Sequence, residues 1–510
     1  MEPIDIKKII LRRKQLILRL QKTAQYPERE VEKIGCSIDL LKESTKIAPY
    51  FCIDNVVQSS VYIKDVSNPL IKAIAICQDK NVVWHTEMED VFIVLDNYGH
   101  KRDTCLLGLF DGSNGISAAQ LTSDELPLLL LDQLSHNDSS YQISDAEKNM
   151  LHSFCTIFKE DYELKEQVFS VAEARSQNSQ PNKYEWIHRA FAKAFWRMDR
   201  LLRLGRGEVS KVRWSSCTTA ICLVEMAGNI KQNQEEQEGE ETNSDEIAGI
   251  MHIANIGNVH AVLCKNGRSY WLTKEHSTYC KGERRRILQN GGSISSNEPK
   301  GLIEGLIKNT RGLGHHGNPK MKKTVIPVPN TISFSVDNSC QFFIIATNGL
   351  WEVLDKSEVV LLTITLFSAY LETEPSFQLK LPINNSTEEK VVQSNSCTIS
   401  TKQLSENSLV TSANVPTSSR ENTSPDTKVI QKENKKNSED LISESHEFLQ
   451  ISEDSETDSR TFYNLAAKYI TKHLVKAALK AGSRNNVSVL LALLNGCDNI
   501  PTDVLMGKIE

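Results

Sequence analysis

The last apolar run of the chain, Val487–Leu494 (VSVLLALL), has no strand-like neighbour close to it in sequence. A strand leaves its backbone N–H and C=O groups unpaired unless a second strand lies beside it. Upstream, beyond one helical segment, lies the stretch 372–460. It is rich in Ser, Thr and Asn and carries 16 acidic and 9 basic residues, a net of −7. Few aromatic and many polar side chains leave too little burial there to offset chain entropy, so this insertion is expected to be disordered. The final strand must therefore pair back across it, and one core must be assembled from both sides.

The insertion also accounts for the charge. The chain has 65 acidic and 59 basic residues, a net of −6, so everything outside the insertion sums to about +1. No global basic field points to nucleic acid. No apolar run approaches the ~18 residues of a membrane span. The 12 cysteines are scattered without a C-x-x-C pair. That favours reduced thiols in an intracellular protein, cytoplasmic or nuclear, over disulfides or structural zinc. At the N-terminus a signal-peptide pattern is missing. Instead, residues 7–22 (KKIILRRKQLILRLQK) interleave seven Lys/Arg with Ile and Leu and contain no acid. They read as a basic-faced helix that docks on the body or makes weak contact with a membrane surface or partner.

The body mixes strands and helices. Strand-like runs are Cys105–Phe110, Thr218–Val224, Met251–Ile256, His260–Cys264, Phe342–Thr347 and Val487–Leu494. Asn266-Gly267 between Cys264 and the Tyr270–Leu272 run signals a hairpin. Helical periodicity covers Glu185–Leu204, Glu283–Asn290, Ser357–Leu371 and Asn464–Ala481, with Gly291-Gly292 and Gly482 as natural left-handed stops. Residues 233–246 (NQEEQEGEETNSDE) carry no apolar side chain and read as a solvated acidic loop between two strands.

Chemistry concentrates at strand ends. The run Leu107–Phe110 leads into Asp111-Gly112, a pair that after a strand is more often a turn, and that otherwise offers a cation ligand where glycine lets the backbone approach. Glu87, Glu89 and Asp90 sit just before the run Val91–Leu95, and hard cations such as magnesium and manganese want such oxygen ligands. Two further places hold Asn where a carboxylate would serve a cation: Asn348 after Phe342–Thr347, and Asn485 before Val487–Leu494. Asn at either place also reads as a turn cap.

The order of these pieces resembles the metal-dependent protein phosphatase 2C (PPM-type) family, from about Ile74 to Leu494 outside the two insertions. Trp84-His85-Thr86-Glu87-Met88-Glu89-Asp90 is similar to W-R-x-E-M-E-D. Phe110-Asp111-Gly112-Ser113-Asn114-Gly115 is similar to F-D-G-H-G-G, and Ser216–Ala220 to S-G-T-T-A. Ala254–Leu263 resembles A-N-V-G-D-S-R-A-V-L, Leu272–His276 resembles L-T-x-D-H, and Thr310–His315 resembles S-R-A-L-G-D. Ala346–Glu352 resembles A-S-D-G-L-W-D, and Gly482–Val487 resembles G-S-x-D-N-I/V.

The resemblance implies an α+β fold, an α/β/β/α sandwich of two antiparallel sheets flanked by helices, with the site at one edge. It implies domain bounds of 1–60 for a basic helical extension and 61–371 for the phosphatase-like domain. Residues 461–497 would complete that domain after the 372–460 insertion, and 498–510 would form a tail. It also implies two magnesium or manganese ions whose bound hydroxide attacks a phosphoserine or phosphothreonine.

Carried over position by position, Glu89, Asp90, Asp111 and the Gly112 carbonyl remain as metal ligands. Two family aspartates fall on Asn348 and Asn485, and a third-metal aspartate on Asn258. The leaving-group histidine falls on Ser113, the phosphate-clamping arginine on His85, and a further aspartate on His315. Metal, phosphate and proton handling are all affected together, so no tightly bound cofactor is expected, at most one weak Mg or Mn. The expected function is that of a pseudophosphatase that binds a phosphoprotein or other protein partner. The alternative is a weakly active Mg/Mn-dependent serine/threonine phosphatase.

Overall fold

The computed structural model describes residues 59–154, 183–203, 211–226, 248–297, 301–373 and 455–499. The basic segment 7–22, the acidic loop 233–246, residues 374–454 of the insertion and residues 500–510 lie outside the described residues. In chain order the strands are β1 (Ser60–Lys64), β2 (Ile71–Asp79), β3 (Val91–Asp96), β4 (Thr104–Ser113), β5 (Ser216–Met226), β6 (Gly249–Ile256), β7 (His260–Lys265), β8 (Arg268–Trp271), β9 (Leu313–Gly314), β10 (Asn330–Val336), β11 (Cys340–Ala346) and β12 (Val487–Leu494). The longer helices are α1 (Ser117–Ser135), α2 (Asp145–Ser153), α3 (Glu185–Leu202), α4 (Lys281–Gln289), α5 (Lys356–Thr373) and α6 (Ser455–Lys480).

The strands form two sheets, ordered β1-β2-β12-β11-β7-β8 and β10-β6-β5-β4-β3, with β9 paired to β5. All the pairings between these strands are antiparallel. β12 does pair back across the insertion. It lies between β11 and β2, with Leu491 opposite both Ile344 and Ala75. The strand period of two sorts its side chains. Val489, Leu491 and Leu493 face a core shared with α5 and α6, whereas Leu490, Ala492 and Leu494 face the core between the sheets. The second sheet is divided the same way. Leu106 and Phe110 of β4 pack toward α1 and α3, and Cys105, Leu107 and Leu109 pack inward. Four layers result, with helices outside and the central strands buried on both faces, which is the α/β/β/α sandwich.

Local signals set many boundaries. Asn266 and Gly267 adopt φ of 50° and 68°, as a tight two-residue hairpin between right-twisted strands requires. Gly291 and Gly482 stop α4 and α6 at φ of 76° and 86°. Other bounds are corrected. β4 runs on through Ser113, so Asp111 lies inside the ladder opposite Thr218 rather than at its terminus. α6 begins at Ser455, so residues 455–460 are helical and do not belong to a disordered insertion. Asp498, assigned to the tail, forms an ion pair with Lys72 and accepts the Tyr463 hydroxyl at 2.6 Å.

Candidate functional site

Four chain segments meet at one edge of the sandwich: the loop 79–90 before β3, the end of β4, the turn after β11 and the loop before β12. Pairing of Val91 with Phe110 sets Glu89 and Asp90 beside Asp111 and Gly112. Gly112 is needed for that approach, because a Cβ there would lie 2.4 Å from the Glu89 carbonyl oxygen. The close neighbour Gly was expected to admit is thus the protein's own backbone.

Asp90 is buried and ties the two sheets together. Its Oδ2 accepts hydrogen bonds from Ser488 Oγ of β12 at 2.7 Å and from Thr347 Oγ1 at the end of β11 at 3.0 Å. Gln78 Nε2 on β2 donates to Ser488 Oγ at 3.1 Å. Burial pushes the Asp90 carboxyl up to about 6, against the two hydroxyl donors and with the help of the Glu89 charge. Asp111 is raised well above the usual carboxylate range, first by burial and then by the charge of Asp90. The Asn348 backbone N–H, which donates to it, works in the other direction.

Glu89 is engaged at both ends. Its N–H donates to Asn486 Oδ1 at 2.8 Å, and its Oε1 accepts the Gly115 N–H at 2.9 Å. Asn486 Nδ2 donates to the Lys80 and Glu87 carbonyls at 2.7 and 3.2 Å. This side chain therefore bolts the loop before β12 to the loop before β3. The turn-capping expected of Asn348 and Asn485 is not what these two do. The N-cap of the short helix Asn348–Trp351 is Thr347, whose hydroxyl is turned to Asp90. Asn485 contributes its carbonyl to Asn81 Nδ2 at 3.2 Å.

The remaining sequence-predicted positions lie around this edge. His85 Nε2 is 2.9 Å from the Arg484 carbonyl, which can only accept, so this nitrogen carries the proton. The Arg484 guanidinium lies over the exposed Trp84 ring, 4.5 Å from its centroid. Ser113 is exposed at the end of β4. Asn258 Oδ1 accepts from Thr218 Oγ1 at 2.8 Å and from Asn309 Nδ2 at 3.1 Å, one residue past Gly257, whose φ is +79°. His315 is buried with a φ of 60°. Burial and the nearby Lys322 charge bring its imidazole down to about 4, so it is neutral at pH 7.

The structure thus brings Glu89, Asp90, Asp111, Gly112, Asn348, Asn485 and His85 to one edge, with Asn258 joined to it through Thr218. Gln78, Thr347, Asn486 and Ser488 were missed in the sequence. One signal was available: Ser488 is the only polar residue in the run VSVLLALL. Among the described residues no group of three or more His, Cys, Asp or Glu side chains is arranged to hold a metal ion. The donor set itself does not fit a pair of dications. Two such ions 4 Å apart repel by about 16 kcal/mol at an effective dielectric of 20. Asn348 and Asn485 bring no charge to offset this, and hydroxyl and N–H donors already occupy Asp90, Asp111 and Glu89.

Residues 164–371 match the family described as Protein phosphatase 2C. Protein phosphatase 2C-like domain-containing protein 1 of Homo sapiens is 42% identical over 531 residues, covering 96% of this chain and 82% of that protein. The Mus musculus protein of the same name is 39% identical over 535 residues, with the same coverage of 96% and 82%. Among solved structures, a serine-threonine phosphatase 2C from Toxoplasma gondii is 14% identical at a TM-score of 0.45, covering 85% of this chain and 99% of that one. On the motifs gathered at this edge and the identity sustained along nearly the whole chain, the protein belongs to the protein phosphatase 2C family.

Proposed function

We propose that this chain is a pseudophosphatase of its family, impaired in hydrolysing phosphoserine and phosphothreonine, that acts by binding a phosphoprotein or other protein partner. The observation that carries this reading is the state of the carboxylates. Asp90 is spent on tying the segment before β3 to β11 and β12, and two positions where the family resemblance expects carboxylates are the neutral Asn348 and Asn485. Without a dication pair there is no hydroxide of lowered pKa to attack phosphorus. The neighbouring losses compound this. The imidazole of His85 cannot clamp phosphate with two parallel N–H groups as a guanidinium does. Ser113 is no useful proton donor near pH 7, and general acid catalysis is typically worth about 100- to 10,000-fold.

A second reading, a weakly active Mg/Mn-dependent serine/threonine phosphatase, draws on the survival of Glu89, Asp90, Asp111 and Gly112 side by side. These would hold one ion weakly at Asp111. The two readings part on calorimetry with manganese and on turnover of a phosphothreonine peptide. We expect no paired micromolar manganese binding by the parent chain. Its turnover should lie at least about 100-fold below that of a variant carrying Asn348→Asp, Asn485→Asp, His85→Arg and Ser113→His. Parent turnover equal to that of this variant would overturn the proposal.

A further inference from the structure

The outer face of α6 is strongly and uniformly basic. From Arg460 to Lys480 the helix contains no Asp or Glu, and Lys468, Lys472, Lys476 and Lys480 recur at every fourth residue. A four-residue step advances about 6 Å along the axis and about 40° around it, so the ammonium groups form a gently turning row of about 18 Å. Its opposite face is committed to the fold. Phe462, Ala466, Ile470, Leu474 and Ala478 lie in the core against β2 and β12. Lys468, Lys472 and Lys476 are partly exposed, Lys480 is exposed, and the first three form no ion pair among the described residues. The neighbouring α5 supplies no counter-charge from Ser357 to Leu371 except Glu358, which is buried and caps the helix start through the Asp355 N–H. His473, stacked at 4.1 Å on Tyr469, is driven below its ordinary range by burial and then by Lys476, Lys472 and Lys480.

We propose that this lysine row on α6 is a docking site for an extended acidic peptide segment of a partner protein. A row of like charges in which Lys468, Lys472 and Lys476 have no ion-pair partner among the described residues is stabilised by a ligand that places acids along it. In an extended peptide, side chains on one face recur about every 6.6–6.8 Å, close to the lysine repeat, and the flexible lysine stems absorb the difference. A membrane surface fits less well. The charges lie in a line rather than a plane, and the apolar side chains that would enter the interface are turned into the core, Leu465 being an exception at 44% exposure. No lysine of the row is aligned with a position of phosphatase chemistry, although Lys480 lies only five residues before Asn485, and the site does not depend on whether hydrolysis is impaired.

The test uses the full chain and a fluorescent peptide with Glu at alternate positions, read by anisotropy at about 0.1 M salt. Changing all four lysines to Gln, which keeps helix propensity, should weaken binding by about tenfold or more, and changing them to Arg should preserve it. Footprinting of the parent chain should show the four lysines protected from acetylation when the peptide is bound, a readout independent of how the variants fold. Unchanged binding by the Gln variant, absence of protection, or lysine-dependent capture by anionic phospholipid vesicles with no peptide binding would overturn the proposal.

Discussion

Gly349 marks the closest approach of two loops at the candidate site. A Cβ there would stand 2.2 Å from the Asn486 carbonyl oxygen, which is backbone and cannot swing aside. Gly349→Ala should therefore destabilise the chain by about 2–3 kcal/mol, read as a lowered urea midpoint at unchanged slope. Residue chemistry at this edge was legible where the residue announces itself locally. Asp111-Gly112 after an apolar strand and Glu89-Asp90 before one could be singled out from spacing alone. The partners of Asp90 could not. Ser488 and Thr347 look like ordinary strand residues, and only their landing beside a carboxylate 398 and 257 positions away makes them its donors. The assignment of turn caps to Asn348 and Asn485 failed for the same reason. Asn486, next door, is the one whose amide reaches three backbone groups across the gap.

At the scale of elements, β12 is the piece on which assembly turns. It is central in its sheet, pairs on both edges with strands that precede the insertion, and is buried along its whole length. Leu491, fully buried among β11, β2 and the helical layer, is its midpoint. Leu491→Ala should cost about 2–5 kcal/mol through lost burial and the cavity left behind, measured by equilibrium denaturation. Of the strands read from apolar runs, β12 was legible to the residue and β7 to within one, while β4 runs on to Ser113 and β5 extends to Ser216 and Met226. α1 was not anticipated. It carries Pro127 inside and is apolar on most sides, so it lacks the one-sided periodicity that marks a surface helix. It is a helix because β4, β5 and α3 surround it. β1 and β10 were also missed, being edge strands with mixed, partly exposed side chains, and so was β2, a buried strand beside β12.

Across the whole molecule, charge is buried far from the candidate site as well as at it. At the opposite end of β5, Glu225 accepts from Lys101 Nζ and the Tyr141 hydroxyl, both at 2.7 Å, and His252 Nε2 lies 3.2 Å from its other oxygen. Burial alone would raise this carboxyl, but contact with His252 and the Lys101 charge outweigh it and bring it to about 2 from 4.5. A carboxyl depressed by folding adds stability that is complete above its unfolded value and is lost as pH falls toward its folded one. The thermal midpoint of the parent should accordingly fall from about pH 4.5 to pH 2. Glu225→Gln should fall less steeply over that window while losing about 3 kcal/mol at pH 7, because a buried lysine is left short of a partner.

Two kinds of information separate here. Residue types, their spacing and the order of motifs established the family, the layered α+β architecture, the return of the last strand across the insertion, and which charges the candidate site lacks. These are properties of short windows, where side-chain chemistry and period act on their own. Which hydroxyls hold Asp90, which amide locks the two loops, and which face of α6 is left outside the core were decided by tertiary packing. The Ser488–Asp90 bond spans 398 positions, and contacts at such separation exist only once both sheets have closed around a shared core.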